Sequence, residues 1–331
     1  MILKEEMTIA TSARNNGIDL FRLIGAFFIM LLHAQYGELN AEYHEDIRLA
    51  SRWALPFFFM ATGFFLNKKI ERNGGLYFKN IQANIIQLIF ILIMAYLINM
   101  PFQQFFHLWF IRSLIFGYVF IWFIYFIKQE KFLPLISIVI ALFCLFTDSY
   151  DQFLPRAFSF QYGRFLLCVP CMYLGMWISK RTFSKKDIPV MITLVIVGFM
   201  IQYLEAYMFY ALFGYSRFEH QFLIGTVITV VPLFIFATVI NVKENLLTLW
   251  GQKYSLFIYL YHPFVYILIY LMTERFFPAN AQFLFMFSPI IGFVLILMLA
   301  ILLDKFMKPI YDILNGKIPG MEKKKNVKLG Y

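Results

Sequence analysis

The amino-acid sequence predicts an all-α, polytopic membrane protein with about ten transmembrane helices and both termini in the cytosol. Three observations predict it. Apolar residues make up 61% of the 331-residue chain and charged residues only 15%, where soluble domains carry roughly 45–50% and about 25%. Apolar runs approaching the length of about 20 residues that crosses a hydrocarbon core recur along the chain. The lysines and arginines between those runs fall into two unequal sets, as membrane topology demands. A water-soluble fold could not hide this much apolar surface, because no polar shell would be left to cover it.

In chain order the predicted spans lie at 16–36, 53–66, 81–100, 107–127, 132–148, 161–179, 188–210, 220–240, 252–271 and 282–303. The first follows a cytosolic segment, 1–15. It does not read as a cleaved signal peptide, because it is long, carries Asp19 and Arg22, and has no A-x-A-like site after it. The second is short, and an extension back through 48–52 would lengthen it. Cys144 lies in the fifth, and Cys168 and Cys171 flank Pro170 in the sixth; all three sit within apolar runs and read as small packing residues. With no second Cys pair to complete a zinc site, no metal centre is predicted. Residues 304–331 form a basic tail, too short to fold alone and expected on the anionic inner leaflet. Residues 16–303 are thus one transmembrane domain with membrane lipids as partners, and its helices and short loops must perform any chemistry.

With the N-terminus in the cytosol, 21 of the 29 Lys and Arg residues fall on the cytosolic side. The outer side receives six arginines, Arg48, Arg52, Arg156, Arg164, Arg217 and Arg275, while Arg22 and Arg112 stay within spans. This split satisfies the positive-inside rule, and an even helix count returns the C-terminus to the cytosol. The expected location is the inner membrane of a bacterial cell. The net charge of +10 is explained by topology, since the basic residues sit in short clusters between apolar runs, and no nucleic-acid partner is predicted.

Ionisable side chains inside a span cost at least about 2.5–3.5 kcal/mol each near its centre, so each is a functional candidate. The first span holds Asp19, Arg22 and His33. Asp19 and Arg22 are three apart and can pair on one face. Arg22 and His33 point the same way about 16 Å apart along the axis. The alternative is a structural ion pair at the helix start with an interfacial histidine. In the fourth span His107 marks the outer interface and Trp109 suits the aromatic belt, while Arg112 sits about 7–8 Å deeper with no acidic neighbour in its own helix. In the ninth, Ser255, Tyr259 and His262 form one polar face beside Pro263, which removes a backbone hydrogen bond near residue 259. Such a stripe lines a cavity or makes interhelical hydrogen bonds. Arg48 and Arg52 could bind an anion or cap the interface, and the other outer charges, Glu205, Arg217, Glu219, His220, Arg156 and Arg164, read as solvated loop charge.

Four motifs then carry a resemblance. Arg22 and His33 are separated by ten residues; Pro56-Phe57-Phe58-Phe59 precedes Gly63; His107-Leu108-Trp109-Phe110 opens the fourth span; and Trp250-Gly251, Ser255, Tyr259 and His262 mark the ninth. In order and spacing they resemble membrane acyltransferase family 3, the integral-membrane O-acyltransferases of surface polysaccharides. Thr62 departs from that pattern, where serine is usual before the glycine. Within the family the chain looks most similar to the enterobacterial-common-antigen type of O-acetyltransferase. The resemblance implies an acyl-CoA donor, usually acetyl-CoA, with no bound cofactor, and a glycan or lipid-linked sugar acceptor. It implies reliance on Arg22 and His33. Arg22 could hold a phosphate or the thioester end of the donor, and neutral His33 could deprotonate the acceptor hydroxyl. Asp19 would orient Arg22, and Arg112, Trp109, Ser255, Tyr259, His262 and His107 could line the path or stabilise the oxyanion. Direct transfer and an acyl-histidine relay both remain open, as does which histidine is the proximal base. The alternative class is a transporter or flippase of a small polar solute or lipid-linked sugar, in which the same residues bind cargo and no CoA thiol is released.

Overall fold

The structure is a computed structural model and describes residues 14–34, 41–102, 106–153, 163–214, 216–217 and 220–317. Expectations about residues 1–13, Arg156, Glu219 and the tail beyond 317 lie outside the described residues. What is described is helical, with no strand among the described residues.

Helix α1, Asn16–His33, starts where the Asn15 side chain accepts a hydrogen bond from the Ile18 amide at 3.0 Å, and it ends as Ala34 turns extended. Two helices follow where one span was expected. Helix α2, Ala41–Ala50, is polar (AEYHEDIRLA), and α3, Ala54–Asn73, begins after a turn at 51–53. Thus α3 does not run back through Arg48 and Arg52 as one regular helix. It runs seven residues beyond the predicted 66 because Lys68, Lys69 and Arg72 have long stems that reach water from a helix end. Gly74, in the left-handed region at φ 69°, closes it.

Helices α4 (Phe78–Asn99), α5 (Trp109–Phe126), α6 (Leu133–Thr147), α7 (Gly163–Leu166) and α8 (Cys168–Ser179) continue the bundle. Helices α9 (Ile188–Phe213), α10 (Ile224–Val239), α11 (Leu246–Phe276), α12 (Ala281–Phe306) and α13 (Lys308–Leu314) complete it. Among the described residues eight helical stretches are long and apolar enough to cross a membrane, and two shorter apolar ones, Gly163–Ser179 and Ile224–Val239, accompany them. These fall at the positions of the predicted spans, in a multi-pass membrane protein. Helix α11 is longer than predicted at both ends and stays helical through Pro263, because one proline removes a single rung that neighbouring helices can support.

Backbone-to-backbone crossings tie the bundle together. A Cβ on Gly63 of α3 would collide with the Met172 carbonyl of α8, and one on Gly175 of α8 would collide with the Met60 carbonyl of α3. Likewise a Cβ on Gly251 of α11 would strike the Asp19 carbonyl of α1. Small residues allow such approaches, which dispersion and packing then reward where lipid gives no hydrophobic drive between helices. Helix α1 is the hub, packed on α3, α10, α11 and α12. At one end of the bundle Asn15 and Asn16 donate to the Thr238 and Val242 carbonyls at 3.1 and 3.0 Å. At the other, Arg217 pairs with Glu45 at 3.0 Å and Asp46 at 3.2 Å. Within the expected basic tail, residues 308–314 form helix α13, fixed by Tyr311 to the Lys253 carbonyl (2.8 Å) and by Tyr261 to the Leu314 carbonyl (2.9 Å).

Candidate active site

The polar stripe of α1 faces the interior. Asp19 is buried and accepts from Arg14 Nε at 3.1 Å, while Arg22 reaches it only at 3.5 Å. Arg14 is held in turn by Glu244 at 3.1 Å. The predicted Asp19–Arg22 pair therefore exists but is the looser half of a chain, Glu244–Arg14–Asp19–Arg22. Arg14 was missed in the sequence, where it reads only as a cytosolic charge. With its carboxylate shared, Arg22 turns toward a cavity of about 300 Å³.

That cavity lies among α1, α3, α4, α5 and α11. Arg22, Asn84 and Gln87 are polar points on its wall, with Phe58, Ala61, Thr62, Phe110, Leu114 and Tyr259 among its other lining residues. A wider recess of about 560 Å³ adjoins it through Phe65, Asn84 and Tyr118, and Lys68, Lys69 and Arg72 ring that recess. Asn84 and Gln87 were missed although polar residues recur in the third span at Gln82, Asn84 and Gln87. Asn84 donates to Tyr118 Oη at 3.3 Å, and Gln87 donates to the Asn315 carbonyl at 3.0 Å, so both are held by neighbours.

The Pro56-Phe57-Phe58-Phe59 motif has a division of labour. Phe57 and Phe59 are fully buried, Phe57 against Phe234 and Phe59 against Phe110 with centroids 5.0 and 4.6 Å apart. Phe58 lines the cavity, and Gly63, four residues on from Phe59, is the close approach to α8. Thr62 also lines it while its hydroxyl donates to the Phe58 carbonyl at 3.0 Å, which serine could do equally.

Three histidines from three helical segments meet at the far end. His33 stacks on His262 with centroids 5.3 Å apart, and His107 stands edge-on to His262 at 5.5 Å. His262 Nδ1 lies 2.7 Å from the Tyr259 carbonyl, and His107 Nε2 lies 3.0 Å from the Leu260 carbonyl. A carbonyl can only accept, so each of these nitrogens carries a proton. His262 Nε2 is left buried with no hydrogen-bond partner among the described residues. The Tyr259 hydroxyl donates to the His107 carbonyl, bracing α11 against the start of α5. His33 is the last residue of α1, while His262 lies about 24 Å along α11, and His107 and His262 are buried.

The remaining predicted site residues divide. Ser255 is fully buried one turn before Tyr259, and its hydroxyl has no hydrogen-bond partner among the described residues. Trp109 is partly buried, with the Arg164 guanidinium 5.4 Å from its ring centroid. Arg112 is exposed and is not among the cavity-lining residues, although it lies within electrostatic reach of Tyr259. The structure therefore places Arg22 and Tyr259 on one cavity, gathers His33, His107 and His262 into a cluster next to Tyr259, and leaves Arg112 outside.

A largely apolar cavity with Arg22, Asn84 and Gln87 on its wall thus adjoins a recess bearing Lys68, Lys69, Glu71 and Arg72, and the histidines neighbour it through Tyr259. The model of a protein family described as an acyltransferase domain matches residues 15–303. No curated protein and no solved structure matches the chain.

Proposed function

The chain belongs to the acyltransferase 3 family, and on that premise we propose that it moves an acetyl group from acetyl-CoA to a hydroxyl of a surface or lipid-linked glycan. One observation supports this reading: the recess bearing Lys68, Lys69, Glu71 and Arg72 shares Phe65, Asn84 and Tyr118 with the cavity of Arg22 and Tyr259, and Tyr259 adjoins His107 and His262. The phosphates of the donor rest among the basic residues, where charge-assisted hydrogen bonds are strongest. Its pantetheine arm passes Asn84 and Gln87, which offer amide groups to its own amides. The arm resolves a distance problem, because Arg22 and His33 are about 16 Å apart along α1 and no single acyl group touches both.

At the far end His33 removes the acceptor proton while the hydroxyl oxygen attacks the thioester carbonyl. The tetrahedral intermediate expels the CoA thiolate, which takes the proton back from the His33 imidazolium. His262, stacked on His33 and locked in the tautomer with a free Nε2 lone pair, shares the proton during this exchange. Asp19 and Arg14 hold Arg22 on the donor side. The proposed setting is the bacterial inner membrane, with the basic recess cytosolic and the histidine end outward; a glycan of the enterobacterial-common-antigen kind is the proposed acceptor class.

The test is CoA release by purified protein in liposomes supplied with acetyl-CoA, read as thiol formation together with mass spectrometry of added glycans. We expect His33→Ala to lower turnover by about 10²–10⁴, the range of a lost acid–base group, and Arg22→Ala to act chiefly by raising the KM for acetyl-CoA. Full activity in His33→Ala would refute its role as base. Solute uptake without release of CoA thiol in the presence of any acceptor would instead establish a transporter.

A further inference from the structure

His33 is the last residue of α1, and a helix end frays unless the carbonyls of its last turn, which have no amide of their own helix to accept from, find other donors. Here side chains from two other helices supply them. The Tyr266 hydroxyl of α11 donates to the Met30 carbonyl at 2.7 Å. From α2, Arg48 Nε donates to the Leu32 carbonyl at 2.7 Å, and His44 hydrogen-bonds the Ala34 backbone just past the helix.

The two grips differ in what they connect. Arg48 and His44 tie the end of α1 to α2, its neighbour in the chain. Tyr266 ties it to α11 across 236 positions of sequence, about one helical turn beyond His262. The Tyr266 ring stands edge-on to His262 at 6.1 Å, and His262 in turn stacks on His33 at 5.3 Å. Met30 is fully buried at this crossing. Helix α12 closes in behind it: a Cβ on Gly292 would lie 2.9 Å from Met30 Cε and 3.4 Å from Tyr266 Cε1. His262 is fixed from within α11. Pro263 has no amide to offer the Tyr259 carbonyl, and that carbonyl lies 2.7 Å from His262 Nδ1. One imidazole thus takes its place from α11 and the other from the end of α1, and the Tyr266 bond joins the two.

We infer that Tyr266 is a positioning residue: by holding the Met30 carbonyl, its hydroxyl fixes the end of α1 against α11 and so sets where the His33 ring stands relative to His262. Tyr266 does not line the cavity of Arg22, so it acts on the base and leaves the donor's contacts alone. Its effect on turnover rests on the acyl-transfer reading above, with His33 as base; its hold on His33 does not.

Tyr266→Phe removes the hydroxyl and keeps the ring. One neutral hydrogen bond is too small a share of stability for its loss to unfold the bundle. Two readouts on the purified protein in nanodiscs test the inference. In imidazole NMR spectra of the five histidines, assigned by single His→Gln replacements, the His33 and His262 signals should move or broaden while that of His220 stays. In thiol-release assays kcat should fall at least about tenfold, since a misplacement of about 1 Å costs about 10²-fold, with the KM for acetyl-CoA unchanged. A merely structural role gives the opposite pattern, a lowered Tm with kcat per folded molecule retained. Unmoved His33 signals in folded Tyr266→Phe protein overturn the hold on His33. Moved signals with an unchanged kcat overturn the role in transfer. Moved signals in a protein whose wild type releases no CoA thiol with any acceptor count against acyl transfer and leave the hold on His33 standing.

Discussion

Arg14 decides how much of the Arg22 charge is available. Its 3.1 Å contact draws Asp19 away from Arg22, which reaches the same carboxylate only at 3.5 Å. Without Arg14, Asp19 would turn fully to Arg22 and compete with an anionic donor. Arg14→Gln is therefore expected to raise the KM for acetyl-CoA by about tenfold, equivalent to about 1.4 kcal/mol, with a much smaller change in kcat; steady-state thiol release checks it, and an unchanged KM would sink the idea. At this scale the sequence was informative wherever one helix carried the whole pattern. Arg22 and His33 share a face because 3.6-residue periodicity fixes their relation inside α1. The meeting of His33, His107 and His262 was not readable, since it depends on how far α5 and α11 slide against α1, a register set by packing.

Helices were legible as apolar runs, and their ends were not. Apolarity stops at the edge of the hydrocarbon, whereas the helix stops where its backbone finds a cap. For α3 that cap is Gly74, eight residues past the predicted end, and for α1 it is the extended Ala34. The crossings between helices were hidden for a different reason: a glycine in an apolar run looks like filler until its neighbour is known. Gly175→Ala should cost about 1–3 kcal/mol, because its methyl would meet the Met60 backbone and no rotamer change can relieve it. Thermal unfolding in detergent measures this, with Ala61→Ser, which disturbs no such crossing, as the comparison.

Over the whole molecule, charge and cavity are aligned. The basic recess opens at the end of α3 that also bears Lys68, Lys69 and Arg72, so the residues that satisfy the positive-inside rule are the ones placed to meet phosphates. Such contacts weaken as salt screens them, over a Debye length of about 10 Å at 0.1 M. Raising ionic strength should therefore raise the KM for acetyl-CoA while leaving that for a short acetyl thioester without phosphates unchanged. Parallel thiol-release assays at low and high salt distinguish the two. Equal salt sensitivity would place the donor phosphates elsewhere.

The reciprocal contacts of Gly63 with Met172 and of Gly175 with Met60 have a mechanical consequence. Backbones seated this closely form a rivet, and alternating access by rocking one half of the bundle against the other would have to pull it. An acetyl group delivered on a pantetheine arm along a fixed wall needs no such swing: the donor's arm threads in while the wall stands still. Locking α3 to α8 with a short cross-link between cysteines installed at their facing ends should accordingly leave the rate of thiol release as it was, whereas a machine that worked by rocking would be stopped.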